Sequence, residues 1–102
     1  MFPWHTGTKR RAQQLHAIRR ARRYLGVEWN KADLNRIKNH VQRGETRLLE
    51  RQSSRVTIHE VTDGGQTFIA AYDKVRKTII TVMPWWRWRR VQEFRARRGA
   101  SA

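Results

Sequence analysis

The sequence predicts an α+β domain: two N-terminal helices packed on a three- to four-stranded antiparallel β-meander, followed by a basic, aromatic C-terminal helix. Three observations carry this. Apolar residues recur at three- and four-residue spacing as far as Val41. After Gly44 the period falls to two, in short β-branched runs separated by turn residues. After Pro84 a block rich in Trp and Arg returns to helical spacing. Helices segregated from an antiparallel sheet define the α+β class.

Lys9 to Leu25 reads as the first helix, with Leu15, Ile18, Ala21 and Leu25 on its apolar stripe and Gly26 at its stop. Residues 1–8 are expected to form an irregular arm. The second helix is better punctuated. Asn30 is a good N-cap, and Asp33 three residues on completes a capping box. Leu34, Ile37 and Val41 form the buried stripe, Arg36, His40 and Arg43 share another face, and Gly44 supplies a left-handed cap.

Arg47 to Glu50 could open a short strand. Arg55 to Val61 alternates and is β-branched, and Asp63-Gly64-Gly65 signals a hairpin turn. Thr67 to Tyr72 is apolar on both faces and therefore central. Lys77 to Met83 is the last strand, and Pro84 ends it. In the terminal helix Trp85, Trp88, Val91 and Phe94 recur every three residues, two tryptophans turned inward could close one face of the sheet, and Gly99 caps it. Residues 9–98 thus make a single domain, and 99–102 a disordered tail.

Charge is the strongest functional signal. The 102 residues carry 23 Lys and Arg against 8 Asp and Glu, a net charge of +15. A small domain is comfortable at about 2–8. Like charges destabilise a compact state, so the surplus points to a polyanionic partner. Residues 1–25 hold seven cations and no acid, and residues 85–102 hold six cations and one acid. Arg outnumbers Lys, and its planar fork suits phosphate and stacks on bases. Nucleic acid is the expected partner, RNA by preference and DNA as the alternative, within the cytoplasm. Absence of cysteine excludes disulfides and thiol chemistry and fits a reducing compartment. No stretch approaches about 18 consecutive apolar residues, so no membrane partner is expected. His5, His16, His40 and His59 are scattered without ligand spacing, so neither metal nor cofactor is expected.

Residues 30–84 bear a resemblance. A capped helix ends in Arg43-Gly44, a strand ends in Val61, and the run Tyr72-Asp73-Lys74-Val75-Arg76-Lys77-Thr78-Ile79-Ile80-Thr81-Val82-Met83-Pro84 follows. This resembles the last strands of small RelE-like proteins, a superfamily that includes bacterial toxins and phage-encoded relatives. The resemblance implies two helices on an antiparallel sheet. It also implies a metal-independent endoribonuclease acting on mRNA, often in the ribosome, or a relative that acts on a host protein. The family shares no fixed triad, so no residue role is transferred.

The residues themselves offer two kinds of site. For binding, Trp85-Trp86-Arg87-Trp88-Arg89-Arg90 interleaves stacking surfaces with cations, as single-stranded nucleic acid requires. Arg10, Arg11, Arg19, Arg20 and Arg23 form a basic stripe on the first helix, and Arg43, Arg47, Lys74 and Arg76 add cations around the sheet. For cleavage, a base, a cation for the phosphorane and an acid are needed. His59, Arg55, His40 and Tyr72 are the candidates, since His59 and Arg55 share a strand face. Three functions follow: a nucleic-acid-binding protein that modulates a host nucleic-acid machine, an endoribonuclease, and an inhibitor seated on an acidic patch of a host enzyme.

Overall fold

A computed structural model describes the backbone of residues 4–101 and the side chains of residues 9–98. Its elements are α1 (Trp4–Arg20) running into a π-helical turn (Ala21–Leu25), α2 (Lys31–Gln42), β1 (Arg47–Arg51), β2 (Val56–Asp63), β3 (Gln66–Asp73), β4 (Thr78–Met83) and α3 (Trp85–Ser101). The strands pair antiparallel in the order β1-β2-β3-β4. The α+β architecture expected from the sequence is therefore the one observed.

Local chemistry sets the boundaries. The Asn30 side chain accepts from the Asp33 backbone N–H at 3.1 Å, and the Asp33 carboxylate accepts from the Asn30 N–H at 2.8 Å. Gly64 and Gly65 both take positive φ, 57° and 78°, which suits a two-residue hairpin turn. The expected arm over 1–8 is helical from Trp4, and residues 1–3 lie outside the described residues. The terminal helix likewise runs past Gly99 to Ser101, and Ala102 lies outside the described residues.

β3 is central and buried on both faces from Phe68 to Asp73. One face carries Val61, Phe68, Ala70, Tyr72, Ile79 and Val82 against Leu34, Ile37 and Val41 of α2 and Ala17 and Ala21 of α1. The two alanines let α1 approach β4 closely. They replace Leu15, which the sequence placed inward but which is 44% exposed. The other face carries Ile58, Ile69 and Ala71 under Trp88, with Trp85, Ile80 and Met83 packed around them.

Two bulges reset the alternation. In β4, Tyr72 and Ala71 oppose Ile79 and Thr81, leaving Ile80 as the extra residue. Ile79 and Val82 therefore reach the same core although they stand an odd number of positions, three, apart. In β1 the extra residue is Leu49.

α3 turns two tryptophans inward, as expected, and its three-residue repeat does not extend that face. Trp85 and Trp88 do face the sheet. Val91 and Phe94 do not, being 37% and 58% exposed. Each three-residue step falls about 60° short of a full turn, so three steps bring Phe94 to the opposite side from Trp85. Gln92 and Arg95 take the inward places and bond the Glu50 carboxylate of β1 at 3.1 and 3.2 Å.

Asp73, 1% exposed, ties the layers together. Its carboxylate accepts from the backbone N–H groups of Val75 and Arg76 and from the side chains of Arg55, Arg76 and Gln13. Burial alone would raise its pKa. The hydrogen bonds from Arg76, Arg55, Gln13 and Val75 outweigh that and hold it at about 2. A depressed carboxylate pKa contributes stability above the unfolded value of about 3.9, and that contribution disappears as pH falls through about 2. Asp73→Asn is expected to cost about 2 kcal/mol at pH 7. Urea midpoints measured between pH 7 and pH 2 should show the two proteins converging at the acid end.

Candidate nucleic-acid interface

The two basic ends of the chain meet in space. α1 lies on one face of the sheet and α3 on the other, and the π-helical turn that finishes α1 comes beside the first turn of α3 through Tyr24, Trp86 and Arg87. The π-helical turn that finishes α1 is widened by one residue. It closes with the Gly26 N–H on the Ala21 carbonyl, and Gly26 takes φ 68° to leave the helix. Gln66 of β3 anchors this end by donating to the Leu25 carbonyl at 3.2 Å. Ala21 stays in the core, while Tyr24 emerges beside α3.

Tyr24 is the centre of a cluster. The Trp86 ring meets it edge-on at 6.3 Å between centroids. Three guanidinium groups lie near the Tyr24 ring: Arg87 at 4.6 Å, Arg23 at 5.4 Å and Arg20 at 5.5 Å. Arg20 also donates to the Tyr24 hydroxyl at 3.2 Å. Arg90 lies 5.7 Å over the Trp86 ring. Further along α3, Arg98 lies 5.6 Å from the exposed Phe94 ring. Trp86, Arg90 and Phe94 rise about 12 Å along the outward side of α3. Each cation–π pair is worth about 0.5–1 kcal/mol at an exposed site. The pairs thus orient the arginines while leaving donors free to reach outward.

Trp86 is 53% exposed, although a side chain of its size usually seeks cover. Trp85, by contrast, is committed: its indole N–H donates to Glu60 at 2.9 Å. The three tryptophans therefore divide into two that fasten α3 to the sheet and one that faces out.

Five of the sequence-predicted binding residues, Arg20, Arg23, Trp86, Arg87 and Arg90, converge here. Arg11, Arg19 and Arg89 are exposed on the same two helices, outside the cluster. Arg43 is the exposed C-cap of α2. Arg47 faces Glu60 at 3.8 Å, and Arg76 is held by Asp73. Arg10 lies in a notch between α1 and α2. Tyr24 and Phe94 are members that sequence reasoning missed. The drift of a three-residue repeat around a helix was the available signal for Phe94. Tyr24 had none, because its partners lie at the other end of the chain.

The four candidate catalytic residues separate. His59 and Tyr72 line an open groove of about 300 Å³ together with Lys74 and Arg51. Their rings are 6.5 Å apart. Arg55 turns away to bond Asp73 at 2.9 Å. His40 sits on the far side of α2, 2.8 Å from Glu45 and 3.7 Å from Asp63. Within the groove, the Thr57 hydroxyl lies 2.8 Å from His59 Nε2 and the Thr46 hydroxyl 3.0 Å from Nδ1. Gln42 donates to the Tyr72 hydroxyl at 2.9 Å. A hydroxyl serves as donor or acceptor, so either neutral tautomer of His59 is satisfied. Burial lowers the His59 pKa below 6.5.

No family model matches the chain, and neither the curated proteins nor the solved structures compared with it contain a match. Among the described residues, no cluster of three or more His, Cys, Asp or Glu could hold a metal ion. No described helix is long and apolar enough to cross a membrane.

The His59 imidazole is expected to titrate below 6.5 when followed by proton NMR. Because folding favours its neutral form, its contribution to stability is complete above the unfolded value near 6.5 and falls as pH drops through the lowered native value. His59→Gln should flatten the stability profile in that window.

Proposed function

We propose that this protein binds single-stranded nucleic acid, RNA by preference, along the aromatic and arginine stripe that joins Tyr24 to the outward side of α3. The observation that carries the reading is the convergence of Arg20, Arg23, Arg87 and Arg90 on Tyr24 and the half-exposed Trp86. Unpaired bases stack on such rings, and the neighbouring guanidinium groups neutralise the backbone that passes them. Duplexes keep their bases paired and stacked, and RNA more often presents single-stranded loops and ends, which supports the preference. In this reading the α+β body is a rigid support that fixes two remote basic segments side by side.

A second reading, an endoribonuclease of RelE-like kind, is favoured by the groove in which His59, Tyr72, Arg51 and Lys74 meet. It is the weaker of the two. Both imidazole nitrogens of His59 are engaged by threonines, and Arg55, the cation expected beside it, is committed to Asp73.

With four arginines contacting phosphates, affinity for a single-stranded oligonucleotide should fall with salt at a log–log slope of about −3. Trp86→Ala should weaken binding by about 5- to 150-fold, the loss of one stacked base. Arg87→Ala with Arg90→Ala should flatten the slope by about 1.4. Fluorescence anisotropy on labelled RNA and DNA measures all three. Binding untouched by Trp86→Ala overturns the stripe as the site. Cleavage of RNA in chelator, abolished by His59→Ala, would establish the second reading instead.

A further inference from the structure

A second cationic feature lies elsewhere, where the middle of α1, the exposed side of α2 and the turn before β4 form a shallow notch. Arg10, Lys31, Lys38 and Lys77 line it, with the side-chain amides of Gln14 and Asn35 beside them. No carboxylate is among its lining residues. Among the described residues, none of the four cationic side chains takes part in a hydrogen bond or ion pair. Elsewhere Arg36, Arg47, Arg55, Arg76 and Arg95 are each held by an acid. Three of the chain's five lysines gather here.

Lys77 adds a separate observation. It is the one non-glycine among the described residues with a positive φ, 53°. A lysine gains nothing from that conformation, which is sparsely populated by residues with a Cβ. The turn carries the cost and brings the ammonium to the notch.

The enclosed space is about 20 Å³, room for little more than one water-sized atom. A base or a nucleoside does not fit. A tetrahedral oxyanion seated at the mouth does, with an oxygen directed inward and the others spread among ammonium, guanidinium and amide donors. Four cations with no acid favour a dianion over a monoanion. An internal phosphodiester carries one negative charge, whereas a phosphate monoester approaches two at neutral pH.

We propose that this notch is a binding site for a phosphate monoester dianion, and that the monoester is the terminal phosphate of a nucleic-acid strand. The phosphate chemistry stands on the notch alone. The strand end as its source rests on the nucleic-acid reading above, and free phosphate is the competing source.

Two probes separate these. Inorganic phosphate titrated into ¹⁵N-labelled protein should shift the backbone resonances of Lys31, Asn35, Lys38 and Lys77, with sulfate acting alike and chloride leaving them in place. One short oligoribonucleotide, prepared with a 5′-phosphate and with a 5′-hydroxyl, should bind at least about tenfold more tightly in the first form. Lys38→Gln combined with Lys77→Gly should abolish that ratio and the phosphate shifts together. Both sites are at the surface, and glycine relieves the left-handed backbone at 77, so this variant retains the fold. Trp86→Ala, by contrast, should weaken both oligonucleotides equally and keep the ratio, so loss of the stripe and loss of the notch read differently. Phosphate shifts without any 5′-phosphate preference would keep the anion site and overturn the strand end as its source. No shift on addition of phosphate overturns the proposal.

Discussion

Eight carboxylates must hold together a chain that carries 23 lysines and arginines, and their placement governs the rest of the structure. Among the described residues, Glu28, Asp33, Glu50, Glu60, Asp63 and Asp73 pair with arginines, and Glu45 lies beside His40. Most of these pairs fasten different elements rather than neighbours in sequence: Asp63 takes Arg36 from α2, Glu50 takes Arg95 from α3, and Asp73 takes Arg55 from the bend before β2. Exposed pairs of this kind contribute little singly. The Asp73 cluster is different, because a buried carboxylate stripped of its partners would be costly. The four cations of the notch, and Arg20, Arg23, Arg87 and Arg90 of the stripe, lie outside these pairs.

The neutral forces do the remaining work of assembly. With β3 buried on both sides, each face needs a cover of its own. α1 and α2 supply one with aliphatic and alanine side chains, and α3 supplies the other chiefly with two tryptophans. A helix fastened to the sheet through Trp85 and Trp88 and to Glu50 through Gln92 and Arg95 turns its other side outward. That outer side is where Trp86, Arg90 and Phe94 lie. The same arrangement that closes the core therefore presents the aromatic and basic surface.

Most of the fold was legible because its determinants are local. The Asn30 and Asp33 capping box, the paired glycines at 64 and 65 and the alternation through β2 and β3 each act within a few residues. What sequence could not supply was distance-spanning choice. The alternation placed Arg55 on a strand face with His59, yet the strand begins at Val56 and the buried charge of Asp73 claims the arginine. Tyr24 finds a ring and a guanidinium partner on α3, at the other end of the sequence. The bulge at Ile80 inverts the sidedness of the strand that follows, and a regular alternation does not announce it. The candidate binding residues were legible by type and only partly by grouping: the basic ends were evident, their convergence was not.

The division of labour between the two cations follows the same logic. The stripe contains arginine and no lysine among the residues that contact its rings, whereas the notch is built mainly from lysine. A guanidinium is flat, weakly hydrated and able to stack while its edge still donates, which is what a surface of rings and bases requires. An ammonium is a compact point charge with three rotatable donors, suited to crowding around one tetrahedral group. On the proposed reading, a chain with 18 arginines and only five lysines that places three of those lysines in one acid-free notch separates two tasks chemically. A strand would be gripped along its bases by one surface and met at a single phosphate by the other. On that account Arg87→Lys in the stripe would not be conservative, since it keeps the charge but loses the plane that lies on Tyr24.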